Sequence, residues 1–150
     1  MKSCIPKYMA KTVVVDSDAI FALYNPNDAL HEKASQTFQA LIEQGFQLIY
    51  PIPVVFEIIS LFQRVLPTPT ITTELKKMIL QDQLQVYSID NDLLKEAMGI
   101  FNPAGSKKHT LIDCAVVAVA KKVQANGVFA YDEFYVKQGI KPAEEVIGAT

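Results

Sequence analysis

The sequence predicts an α/β fold: a three-layer sandwich in which helices flank a central, mostly parallel sheet. Three observations carry that expectation. Short β-branched or apolar runs such as TVVV (12–15) and VFA (128–130) alternate with longer segments of helical spacing. That alternation favours parallel strands covered on both faces. The chain has 150 residues, half hydrophobic and a fifth charged, which suits one ordinary globular domain with a full core.

The elements follow in order. Residues 12–15 form a Val-rich strand closed by Asp16. SDAIFALY makes a short helix, and Asn25-Pro26-Asn27-Asp28 a turn whose Asn27 or Asp28 can cap the next helix. That helix runs from about 29 to 43, with Ala34, Phe38, Leu41 and Ile42 at helical spacing and Gly45 as its stop. Residues 47–50 are a second strand. Pro51 and Pro53 open a helix through Glu57 to about 65, broken by Leu66-Pro67-Thr68-Pro69. Residues 70–81 are amphipathic, with Leu75, Met78 and Ile79 inward. A third strand covers 84–88, and Asp90 or Asn91 starts a helix to about 100. Residues 102–109 are a polar loop. Thr110 caps a helix ending near Gln124, Asn126-Gly127 turns into the 128–130 strand, and Asp132 closes it before a short helix. Glu145–Ile147 reads as a fifth, edge strand.

Several function classes are excluded or disfavoured. No apolar run reaches the length of a membrane span. MKSCIPKYMAK lacks the apolar middle of a secretory signal, so the expected location is cytoplasmic. Cys4 and Cys114 match no zinc spacing, and Cys114 reads as a small core residue. The net charge of −2 argues against sequence-independent coating of DNA. A nuclease remains compatible, because clustered acids lower net charge and a bound cation reverses the local sign.

Asp113 is the residue that demands explanation. It stands in LIDCAVVAVA (111–120), where every other residue is apolar or small, and no basic residue appears before Lys121. An unpaired carboxylate buried there costs roughly several kcal/mol. Asp16 ends TVVVD, Glu57 lies inside VVFEII, and Asp132 follows VFAY. Asp16 and Asp132 fall at or just past the carboxyl ends of strands, the edge where parallel sheets bind ligands. Glu57 and Asp113, near helix starts, can lean toward that edge. Oxygen-rich acid clusters suit hard cations, Mg²⁺ or Mn²⁺. Such ions neutralise phosphate, acidify water and stabilise an in-line leaving oxygen.

Each acid also has an ordinary structural use. Asp16 can cap a helix, Asp18 can favour a helix dipole from the first turn, and Glu57 can be a solvated residue on the face of Ser60 and Arg64. Asp113 can take first-turn backbone N–H groups or a distant lysine, and Asp132 can cap the helix in EFYVKQG. His109 reads as a loop or cap histidine rather than a ligand, and His31 as a helix-surface residue. Lys107 and Lys108 are either solvated charges or phosphate contacts. Tyr8, Tyr131 and Tyr135 read as packing residues before base-stacking ones.

VVVDSDAI, PVVFEII, TLIDCAVVAVAKK and GVFAYDEFYVKQGI, in that order and spacing, resemble the PIN-domain nuclease pattern over residues 12–150. That family includes small ribonucleases that are toxins of VapBC-type toxin–antitoxin systems. The resemblance implies a PIN-like sheet sandwich, residues 1–11 as a loose N-terminal extension and 12–150 as one domain. It implies an endoribonuclease dependent on Mg²⁺ or Mn²⁺, leaving 5′-phosphate and 3′-hydroxyl ends. Asp16, Glu57 and Asp113 would be the core catalytic and metal-binding acids, with Asp132 the fourth. Ser17 and Thr110 match supporting hydroxyl residues. Two positions depart from the family: Asp18, where Ser, Asn or Thr is usual, and Ala130-Tyr131, where Thr or Ser commonly precedes the fourth acid. The implied partners are an RNA substrate and an antitoxin protein, with no membrane. The apolar, amphipathic 51–83 region is the expected docking surface and homodimer face. Two rivals remain. Asp16-Ser17-Asp18 also resembles the nucleophile motif of haloacid-dehalogenase-like phosphatases, with Asp16 as nucleophile. Alternatively the chain is a catalytically inactive RNA- or protein-binding module on the same fold.

Overall fold

Four short strands are held in register by what lies on their two faces. β1 (Thr12–Val15) is buried at every position, as its β-branched TVVV run requires when helices cover both sides. The computed structural model describes residues 10–148. Along the chain β1 leads to α1 (Ser17–Tyr24), α2 (His31–Glu43), β2 (Gln47–Pro51), α3 (Ile52–Val65), α4 (Thr70–Leu80) and β3 (Gln85–Tyr87). Then come α5 (Asn91–Ile100), α6 (Leu111–Lys122), β4 (Gly127–Phe129), α7 (Phe134–Lys137) and α8 (Ala143–Ile147). The sheet order is β3-β2-β1-β4, and every pairing is parallel. The three-layer α/β expectation therefore holds.

The order has a functional reading. The chain moves outward from β1 to β2 and β3, then returns to place β4 on the other side of β1. The switch point thus falls at the carboxyl end of β1, where a crevice opens in such sheets. Asp16 N donates to Phe129 O at 3.0 Å, so the first residue beyond β1 is tied to the last of β4. At the other end of that pair, Asn126 clamps Thr12, its Oδ1 accepting from Thr12 N and its N donating to Thr12 O, both at 2.8 Å.

Local signals explain the helix boundaries. β2 runs straight into α3, where a proline in the first turn supplies a preset φ and lacks an N–H the helix could not use there. α2 ends as Gly45 adopts φ +78°, a left-handed conformation that favours glycine. α6 begins with a capping box: Thr110 Oγ1 accepts from Asp113 N, and Asp113 accepts from Thr110 N. From Cys114 to Ala120 α6 is buried throughout, the centre of the core, which confirms Cys114 as a packing residue.

Three expectations need correction. Glu145–Ile147 is not a strand but part of α8; Pro142 precedes a first turn carrying Glu144 and Glu145, a charge pattern that suits a helix N-terminus. Edge pairing to β4 does occur, but earlier, through a Val128–Pro142 bridge and Val128 N to Lys141 O at 2.9 Å. α2 starts at His31, with neither Asn27 nor Asp28 as its N-cap; Asp28 Oδ1 instead accepts from Leu30 N at 2.8 Å, a local turn one step earlier. His31 is half-buried, its Nδ1 2.8 Å from Ala22 O, so it joins α1 to α2. Cys4, Tyr8 and most of the expected 1–11 extension lie outside the described residues. Lys11, within it, accepts from Gln47 N through its carbonyl at 2.7 Å.

Gly127 gives a test of the sheet's closure. A β-carbon there would lie 2.8 Å from Lys141 O and 3.2 Å from a Val146 methyl. Gly127→Ala is expected to cost about 1–3 kcal/mol by overpacking. Urea denaturation reads it, and an unshifted midpoint would show that the Lys141 strap is slack.

Candidate active site

The site is built from the carboxyl edge of β1 outward. Asp16 follows β1 directly and caps α1, its Oδ1 accepting from Ser17 N at 2.7 Å. It is only 3% exposed, the most enclosed of the candidate acids. Its other oxygen, Oδ2, accepts from the Tyr135 hydroxyl at 2.7 Å. Tyr135 is on α7, itself 1% exposed. The same hydroxyl lies 3.3 Å from Asp113 Oδ1. Asp113 Oδ2 accepts from Thr110 N at 2.9 Å. On the other side of Asp16, Ser17 Oγ donates to Glu57 Oε1 at 2.5 Å.

Asp16, Glu57 and Asp113 thus belong to one chain of polar contacts with two hydroxyl links. Tyr135 joins Asp113 to Asp16, and Ser17, whose own amide bonds Asp16, reaches Glu57. Ser17 contacts Asp16 and Glu57, and Thr110 contacts Asp113. Asp113 differs from expectation in one respect. It is half-buried rather than enclosed, because the first turn of α6 lifts it out of the apolar run and supplies a backbone N–H.

Asp132 stands to one side. Its Oδ1 accepts from Phe134 N at 2.8 Å, a local turn just before α7 whose N-cap is Glu133 rather than Asp132, and lies 3.4 Å from His109 Nε2. The His109 ring stacks on Phe134 with centroids 4.7 Å apart. Lys107 and Lys108 are exposed in the loop just before His109. Sequence reasoning missed the His109–Asp132 pair, since neither residue has a periodic partner in the chain.

Asp18 is no ordinary surface charge. Its Oδ2 accepts from Tyr131 N at 2.9 Å, while its Oδ1 is buried with no hydrogen-bond partner. An orphaned buried oxygen of this kind calls for a donor or a cation.

The electrostatics agree. Burial, then the Asp18 charge, pushes the Asp16 carboxyl up from 3.8 to about 8, against the lowering pull of Tyr135. Burial likewise raises Asp18 to about 6, with Asp132 and Asp113 adding to it. Asp113 is raised chiefly by burial, assisted by Asp132 and Glu57. Burial and the flanking Asp16 and Asp113 charges push the Tyr135 phenol well up. Among the described residues the one ion-pair contact is His109–Asp132, so no lysine or arginine neutralises these acids.

A hard divalent cation fits this donor chemistry: carboxylate oxygens, an orphaned acid oxygen and an uncompensated negative field. The geometry is less complete. Among the described residues no group of three or more His, Cys, Asp or Glu side chains stands close enough together to hold a metal ion as placed. Hydroxyls intervene between the acids.

The PIN domain family model matches residues 13–138. The chain belongs to the PIN-domain family. No curated protein matched the sequence. Among solved structures, Mycobacterium tuberculosis VapC20, described as a sarcin–ricin loop cleaving toxin, superposes with a TM-score of 0.71 at 19% identity. The match covers 85% of this chain and 95% of that one, a likeness of fold across nearly the whole PIN domain. Membership leaves the haloacid-dehalogenase-like alternative without support. Among the described residues no helix is long and apolar enough to cross a membrane.

The raised carboxyls set a pH dependence. Asp16 keeps its proton to a higher pH when folded than when unfolded, so the folded state binds more protons between about 4 and about 8. Without divalent cations, stability is fullest below that window and falls as pH rises through it. Asp18 adds the same sign up to about 6. In EDTA the melting midpoint is expected to drop from about pH 5 to about pH 8, and Asp16→Asn to flatten the slope. A wild-type midpoint constant across this range would contradict the placement of Asp16.

Proposed function

We propose that this PIN-domain protein is a metal-dependent endoribonuclease of the VapC toxin kind. One observation carries the reading: Asp16, Glu57 and Asp113, far apart in sequence, join one polar network at the switch-point edge of the sheet. Family membership supports the same chemistry. VapC20's described cleavage of the sarcin–ricin loop makes RNA the substrate class to test.

Asp16, Glu57 and Asp113 would hold Mg²⁺ or Mn²⁺, with Asp132 as a further ligand or a water-orienting acid. When bound, such an ion neutralises phosphate and lowers the pKa of water. The chain's own groups do the rest. Ser17 Oγ and Thr110 N fix the directions of Glu57 and Asp113. The Asp132 carboxylate is pinned through Oδ1 by Phe134 N, which leaves Oδ2 as the oxygen that would orient a water. Lys107 and Lys108 contact flanking phosphates, and their exposure suits that role. Attack is in line with no covalent enzyme intermediate, leaving 5′-phosphate and 3′-hydroxyl ends.

A protein partner belongs to the same reading. Phe56 and Leu80, each 72% exposed, and Val65 at 49% give α3 and α4 apolar outer positions. We assign them to a homodimer or an antitoxin contact. The inactive-module reading has one observation in its favour, the absence of a ready-made three-acid cage among the described residues.

Wild-type protein with Mn²⁺ is expected to cleave single-stranded or structured RNA, and Asp113→Asn to lose on the order of 100-fold or more in rate. Equal cleavage by both would remove Asp113 from the mechanism. Calorimetry finding no Mn²⁺ uptake near neutral pH would favour the inactive module. Light scattering is expected to find a dimer; a monomer at high concentration would leave the α3–α4 face to a different partner.

A further inference from the structure

By sequence Tyr135 reads as a packing residue, yet among the described residues its hydroxyl is the contact shared by Asp16 and Asp113, two acids far apart in the chain. Asp16 ties Oδ1 to Ser17 N and turns Oδ2 to the phenol. Asp113 ties Oδ2 to Thr110 N and turns Oδ1 to the same phenol. Each carboxylate therefore has one oxygen fixed by its own helix N-terminus and the other governed by Tyr135.

We infer that Tyr135 is a positioning residue, whose hydroxyl orients the Asp16 carboxylate by donating to it and, standing between the two, sets its spacing from Asp113 toward a shared divalent cation. The inference rests on the ribonuclease reading above. A phenol carries one O–H hydrogen. At 2.7 Å it goes to Asp16, and the phenol oxygen then faces Asp113 at 3.3 Å. The ring cannot swing away. Tyr135 is fully enclosed, and Phe134, edge-on to it at 5.5 Å, is itself held by the His109 stack and by its N–H bond to Asp132. The Asp132 bond to Phe134 N thus locates the start of α7, α7 locates the hydroxyl, and the hydroxyl orients Asp16 and spaces it from Asp113. Partners that orient metal ligands in this way commonly affect affinity about 10–100-fold.

The test is Tyr135→Phe, which keeps the ring and removes only the oxygen. Titrated calorimetrically with Mn²⁺, the variant is expected to bind about tenfold more weakly or worse. At saturating Mn²⁺ its KM for RNA should match wild type, since the phenol does not touch substrate. Melting in EDTA establishes that the variant folds. An unchanged or tighter Mn²⁺ affinity in a folded variant would overturn the role. Wild-type protein with ¹³C-labelled tyrosine rings supplies a second readout that needs no variant: Mg²⁺ should shift a buried ring resonance, and no shifted ring would overturn it equally. If wild-type protein itself takes up no Mn²⁺, the ribonuclease reading fails first; if it does and Tyr135→Phe binds as well, only the role of Tyr135 falls.

Discussion

The arrangement turns on a carboxylate held out of water without a positive partner. Asp16 sits at the end of the central strand, and its two oxygens are met by Ser17 N and the Tyr135 hydroxyl. Neither donor carries charge, so burial and neighbouring acids dominate and its proton affinity rises. Such a group is tolerated in a fold only where something else compensates, a proton or a cation. The uninterrupted Val packing of β1 on both faces supplies the rigidity that keeps Asp16 in that position.

Much of this was legible in the residues themselves. TVVVD predicts a buried strand with an acid at its end, and both are found. The Thr110–Asp113 spacing predicts a capped helix, and the capping box is complete. The strand–helix alternation gives the parallel sheet, since each signal is local and repeats. Where the structure differs, a local start signal or a tertiary contact outweighs composition. Glu145–Ile147 resembles a strand by composition, but Pro142 and two acids impose a helix start. Asp18 does stand in the first turn of α1 as its position predicts, and the contact sequence could not show is the bond from Tyr131 N.

The site was legible as a set of acids but not as a network. Sequence names Asp16, Glu57, Asp113 and Asp132, because an acid in an apolar run is conspicuous. It does not say that hydroxyls lie between the first three, or that the fourth leans on His109. Tyr135 was hidden by ambiguity: in a four-residue helix no periodicity tells which face a tyrosine presents. Its position three residues beyond Asp132 was the available clue. The Asp132 side chain's bond from Phe134 N turns that short spacing into a direction.

The strand order also has a consequence in time. Asp16 and Glu57 belong to the first half of the chain, but the hydroxyl that closes on Asp16 comes with α7, which follows β4 in the chain. Long-range closure of this sort is slow to form and comes late in synthesis. A polypeptide that stops before Gly127 lacks both the strand that pairs with β1 on that side and the hydroxyl that meets Asp16. The last-made segment is the clasp of the polar network.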